Sequence, residues 1–78
     1  MIDPRYAPKM AMHNRNTLKD KCGCYHCAKI FTIQDITEWT DNNDTALCPF
    51  CNVDSVISEE KDFTLNEDLL KKLNQYWF

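Results

Sequence analysis

Two Cys-X-X-Cys turns, Cys24-Tyr25-His26-Cys27 and Cys48-Pro49-Phe50-Cys51, stand on either side of a twenty-residue stretch, 28–47. Two residues between cysteines let both sulfurs of a tight turn face one ion. Two such turns close a tetrahedral tetrathiolate site, the geometry of structural zinc. A chain of 78 residues needs a staple of this kind. At that length a hydrophobic core alone supplies roughly 3–5 kcal/mol, whereas four thiolates on one zinc add about 10 kcal/mol or more in model peptides.

Disulfides are the rival use of these cysteines. The opening Met1-Ile2-Asp3-Pro4-Arg5 lacks the apolar stretch of a secretory signal, and no run is apolar enough to span a membrane. A reducing cytoplasm is therefore the expected compartment, and there the paired turns read as metal ligands. Cys24, Cys27, Cys48 and Cys51 are the expected ligands of one structural Zn2+. Iron in a rubredoxin-like site has the same ligand count and is the alternative metal. A dithiol redox site would need a single pair at a helix start, which two facing pairs argue against.

Four thiolates leave no open coordination position, so the metal is expected to do no catalysis. His26, inside the first turn, should point away from the ion. His13 has no identifiable partner in the sequence. Asp54-Ser55 is no triad without a placed histidine, and its side chains are expected to bond backbone amides near the turn. Cys22, the odd thiol, reads as a buried, unreactive cysteine beside the site. The chain is not expected to be an enzyme.

The net charge of −3 hides an asymmetry. Residues 1–21 carry five cations against two acids, a net +3, and residues 22–78 carry four lysines against ten acids, a net −6. A zinc tetrathiolate adds a further negative contribution to the second part. Phosphate binding depends on Lys and Arg clusters, so nucleic acid is disfavoured on this acidic body. Only the basic arm offers a nucleic-acid-binding ribbon any contact, and that reading is the alternative.

Two segments follow from this composition. Residues 1–21 form a basic arm, interrupted by Pro4 and Pro8, which is either partly disordered or docked through Tyr6, Met10 and Met12. Residues 22–78 form the metal-bearing domain. Within it, Ile30-Phe31 should leave the first turn as a strand. Thr32 and Asp35 suggest a capped start to a short helix over about 33–40, with Ile33, Ile36 and Trp39 on one face. Asp41-Asn42-Asn43-Asp44 reads as a turn, Thr45-Ala46-Leu47 as a strand, and Asn52 as a residue at positive φ. Val53 to Ile57 has strand character, and Ser58 to Asp62 should be an exposed acidic connector. Thr64-Leu65-Asn66-Glu67 is a capping box opening a C-terminal amphipathic helix whose stripe runs through Leu65, Leu69, Leu70, Leu73, Tyr76 and Trp77.

Cys-Gly-Cys-Tyr-His-Cys, Ile36 and Trp39, the string from Thr45 to Ile57, and Leu69-Leu70 with Tyr76-Trp77-Phe78 together resemble a family of small bacterial cytoplasmic proteins. That family is similar to zinc ribbons, and its members usually carry glycine where this chain has Asn52. The resemblance covers about residues 22–78. It implies a zinc-stabilised cytoplasmic module, of cellular or phage origin, and carries no activity or substrate.

The fold expected is therefore a small α+β, zinc-ribbon-like domain. It has two Cys-X-X-Cys knuckles, short antiparallel strands, an inserted short helix and a C-terminal amphipathic helix. Three consecutive aromatics at a helix end cannot all face one core. Tyr76, Trp77 and Phe78 are thus the expected contact for a protein partner, or for a second copy, with the arm beside them.

Overall fold

The computed structural model describes residues 3–61 and 63–78. Five short strands form two antiparallel sheets. β1 (Lys21–Cys24) lies between β2 (Lys29–Thr32) and β5 (Val56–Ser58), while β3 (Trp39–Thr40) pairs with β4 (Thr45–Ala46) in a separate ribbon. A 3-10 turn (Pro4–Tyr6) and a short helix α1 (Ala7–Met10) precede the sheets, and helix α2 (Glu67–Trp77) closes the chain. This is a small α+β architecture.

β1 is the spine, because side chains alternate across a strand. Cys22 and Cys24 face one way, into a cluster with Phe31, Ile36, Ala46, Cys48 and Val56. Gly23 faces the other way, toward α2. A Cβ at Gly23 would lie 2.8 Å from Cδ1 of Leu70 and 3.2 Å from Cδ2 of Leu65, so any larger residue would force these buried leucine side chains to shift. On that second face Leu65, Leu69, Leu70 and Leu73 pack with Ile57, Tyr25, Ala7 and Ala11. Each such leucine contributes about 1.5–3 kcal/mol of burial.

α2 starts two residues later than the capping box implies. Leu65 is fully buried ahead of the helix, and its N–H donates to Glu59 Oε2 at 2.8 Å. Capping falls instead to Asn66, whose Oδ1 accepts from the Leu69 N–H at 2.9 Å. The helical stripe is narrower than expected, since Tyr76 and Trp77 are exposed.

The helix expected over 33–40 is not formed. One 3-10 turn, Ile33–Asp35, is all that appears, and Ile36 is already extended at φ −81°, ψ 118°. Its start follows the expected pattern, for Asp35 Oδ2 accepts from the Thr32 N–H at 3.0 Å and from the Thr32 hydroxyl at 3.3 Å. A single turn is a costly nucleus, and Thr32, Ile33, Ile36 and Thr37 are β-branched. Pairing of Trp39 with Ala46 and Thr40 with Thr45 takes the rest of the segment. The connecting turn places Asp41, Asn42 and Asn43 at φ 53°, 61° and 65°, conformations these residue types tolerate.

Ser58 belongs to β5 rather than to an exposed connector. It is buried, and its Oγ accepts from the Lys19 N–H at 3.0 Å. Asp62, the last residue assigned to that connector, lies outside the described residues, as do Met1 and Ile2 at the start of the arm.

The segment ahead of β1 packs through small side chains. Ala7 and Ala11, one helical turn apart, are buried, whereas Tyr6 and Met12 are exposed and Met10 is half-buried. Asn14 then enters the interior, 2% exposed. Its Nδ2 donates to Val56 C=O at 2.9 Å and Met10 C=O at 3.2 Å, and its Oδ1 accepts from the Ala46 N–H at 3.1 Å. One amide thereby ties the N-terminal segment to both sheets. Nearby, Thr45 Oγ1 accepts from the His13 N–H at 2.9 Å and donates to Asp41 Oδ2 at 2.9 Å, and His13 Nδ1 meets Asp44 Oδ2 at 3.0 Å.

Candidate metal centre

The four cysteines singled out from their spacing come together. One sulfur each from Cys24, Cys27, Cys48 and Cys51 lies within 4.8 Å of the others. The cross-turn pairs Cys24–Cys51 and Cys27–Cys48 are both 3.6 Å apart. A tetrahedron with metal–sulfur bonds of about 2.3 Å has edges of about 3.8 Å, so the donor set fits one ion.

Both turns reach this geometry by the same backbone route. The Ala28 N–H donates to Cys24 C=O at 2.8 Å, and the Asn52 N–H donates to Cys48 C=O at 2.9 Å. Ala28 and Asn52 sit at φ 60° and 63°. Within each turn an amide is aimed at the first sulfur, from His26 to Cys24 at 3.3 Å and from Phe50 to Cys48 at 3.4 Å. Such N–H groups favour the thiolate form a metal requires.

The local fields differ among the four sulfurs. Burial pushes the Cys27 thiol up to about 11 and raises that of Cys51 further. Burial also works against the Cys48 thiolate. The backbone N–H groups of Cys51 and Phe50 outweigh it, holding Cys48 below the usual thiol range. Ser55 was not singled out as a support for the ligands. Its hydroxyl is buried 3.0 Å from Cys24 Sγ, and its C=O accepts from the Tyr25 N–H at 3.1 Å. Its bonding is thus to a ligand sulfur and a turn amide together. Ala28 at positive φ was also missed, since alanine carries none of the signal that glycine or asparagine gives there.

Cys22 lies on the same face as Cys24 but outside the cluster. It is fully buried, its S–H lies 3.2 Å from Lys19 C=O, and burial aided by Asp20 pushes its thiol up to about 11. Lys29 stacks its ammonium 5.0 Å over the Phe50 ring beside the turns. Lys21 instead pairs with Glu59 at 3.5 Å.

The first turn also anchors the chain's end. Asn74 Nδ2 donates to His26 C=O at 2.7 Å, and Phe78 sits edge-on to the His26 ring at 4.7 Å and 6.0 Å from the Tyr25 ring. Trp77 Nε1 donates to Pro4 C=O at 2.7 Å. These tethers leave much of each ring open, with Tyr76 53%, Trp77 41% and Phe78 64% exposed.

No helix among the described residues is long and apolar enough to cross a membrane. No family model, curated protein or solved structure matches the chain.

Proposed function

We propose that this chain is a zinc-ribbon-like accessory module of the cytoplasm, in which one structural Zn2+ on Cys24, Cys27, Cys48 and Cys51 holds a protein-binding surface. Tyr76, Trp77 and Phe78 form the centre of that surface, with the N-terminal segment at its edge, and they take up a protein partner or a second copy. The observation that carries this reading is the exposure of three successive aromatics on a helix end that is itself held in place. Aromatic anchors that are rigid before binding lose little entropy on association. Zinc is favoured over iron because nothing beside the thiolates suggests electron transfer. The acidic body and the scattered, partnered cations of the arm support a protein partner over nucleic acid: Arg5 pairs with Asp3, and Arg15 stacks on Trp39.

A photo-crosslinking residue placed at Tyr76 in living cells tests the surface. A discrete adduct is expected there and none at Asn42, on the exposed β3–β4 turn. Equal labelling at both positions, or none at Tyr76, refutes the reading. Native mass measurement of the same protein should give one zinc per chain.

A further inference from the structure

A metal-bound thiolate has no proton to give, and the deeper it lies the more it depends on donors supplied by the protein. Of the four clustered cysteines, Cys24 is fully buried and Cys48 nearly so, while Cys27 and Cys51 are half-buried. The two buried sulfurs carry the greater need. Cys48 meets it with amides of its own knuckle, those of Phe50 and Cys51. Cys24 takes the His26 amide from its knuckle at 3.3 Å. Its other polar neighbour comes from outside that turn and from a side chain, the Ser55 hydroxyl at 3.0 Å.

The direction of the Ser55–Cys24 bond follows from what the sulfur carries. Beside a thiol, either atom can be the donor. Metal binding requires the thiolate, which can only accept, so the hydroxyl must then donate. A hydrogen bond to an ionised group is roughly twice as strong as a neutral one. The bond therefore matters more in the metal-loaded chain than in the metal-free one.

The backbone holds Ser55 in the place this role needs. Ser55 is buried, its C=O accepts from the Tyr25 N–H at 3.1 Å, and the next residue, Val56, is paired with Cys24 in the β1–β5 ladder. Two residues earlier, the Val53 C=O accepts from the Cys48 N–H at 3.0 Å. Residues 53–55 thus grip the first cysteine of each knuckle.

We propose that Ser55 is a positioning residue of the metal centre, whose hydroxyl donates to the Cys24 thiolate and sets how tightly the site holds its ion. The inference rests on the four cysteines holding a metal, and it is independent of the aromatic end of α2. Partners that orient a metal ligand in this way are worth about 10–100-fold in metal affinity.

Cobalt(II) in place of zinc reports on the sulfurs through its thiolate-to-metal charge-transfer absorption. A hydrogen bond lowers the energy of the sulfur electrons, so its loss moves that absorption to longer wavelength. Ser55→Ala should show this shift, and in competition with a chromophoric chelator it should bind Co2+ and Zn2+ about 10–100-fold more weakly than the parent. Ser58→Ala is the control for a purely structural role. It removes another buried serine hydroxyl, one that serves the Lys19 N–H, and should lower stability with the cobalt absorption unchanged. If Ser55→Ala fails to fold, NMR of the parent loaded with a spin-active cadmium isotope replaces it, and the Ser55 hydroxyl proton should show coupling to the bound cadmium. A parental cobalt absorption in Ser55→Ala overturns the proposal, whatever happens to affinity. So does an equal shift in Ser58→Ala, or a Ser55 hydroxyl proton without coupling to cadmium. A parent chain that takes up no cobalt on its thiolates overturns the metal reading itself, and this inference with it.

Discussion

Replacing Asn14 with alanine tests whether the N-terminal segment is part of the folded core. The side chain is 2% exposed and serves three backbone groups, the Val56 and Met10 carbonyls and the Ala46 N–H. Val56 and Ala46 are themselves fully buried, so bulk solvent does not reach the groups left without the amide. Each stranded group costs about 1–3 kcal/mol, and the Met10 carbonyl, at a half-buried helix end, recovers much of its bond from solvent. The expected loss is therefore about 2–6 kcal/mol. That is comparable to the whole stability a core of this size supplies without metal. Urea unfolding of the zinc-loaded protein, followed by far-UV circular dichroism at fixed free zinc, measures the loss. Hydrogen exchange at the Ala46 amide reports whether the bond was the cause. Gln75→Ala, at an exposed site on α2, is the control and should change stability by less than about 0.5 kcal/mol. A loss under about 0.5 kcal/mol for Asn14→Ala, with Ala46 still protected, would refute the reasoning.

Other outcomes follow from the same geometry. Ala28→Gly should stabilise the zinc-loaded protein by up to about 1 kcal/mol in denaturant titrations, because φ 60° is strained for alanine. Gly23→Ala should destabilise it by about 1–3 kcal/mol in the same assay, since the new methyl meets a buried leucine at 2.8 Å. Cys22→Ala should leave the measured stoichiometry at one zinc, and the Cys22 thiol should resist alkylation until the chain unfolds, because it is fully buried outside the cluster. Asp35→Ala releases the Thr32 amide on the edge strand β2, so sedimentation velocity should show more self-association than for the parent.

The clustering of Cys24, Cys27, Cys48 and Cys51 was legible in the sequence because its signal is a spacing, which survives any uncertainty about the fold between them. The Asp41–Asp44 turn and the strands β2 and β4 were legible for a related reason, since short-range turn chemistry decides them, whereas β1 was not read as a strand and β5 begins at Val56 rather than Val53. One helix start and one whole helix were misread where local and tertiary preferences compete. Thr64 and Asn66 are both good caps, and only the Glu59 carboxylate on the Leu65 amide, six residues away in sequence, decides between them. Likewise Ile33, Ile36 and Trp39 keep helical spacing, yet pairing with Thr45 and Ala46 outweighs a helix of barely two turns. Asn14 carried no periodic or motif signal, because its partners lie 32 and 42 residues away along the chain. The packing alanines Ala7 and Ala11 were hidden by their size, as the larger Tyr6 and Met12 drew the expectation of docking.

The first knuckle joins the candidate metal site to the proposed surface. Its residues lie between β1 and β2, so the position of the β2 edge depends on how Cys24 and Cys27 are held. Its His26 carbonyl and ring hold Asn74 and Phe78, so the aromatic end of α2 depends on the same turn. β1, meanwhile, buries a ligand on one face and lets α2 approach at Gly23 on the other. Loss of a bound metal would free four thiols and loosen both faces of one strand together. Chelation should therefore abolish crosslinking at Tyr76, with one transition in a zinc titration. Trp77→Ala/Phe78→Ala should lose the crosslinking with zinc content intact, and Ser55→Ala should keep it at saturating zinc. A surface that follows zinc yet is lost separately by substitution would mean that the metal acts through the shared turn. Crosslinking at Tyr76 that survived full chelation would break that link.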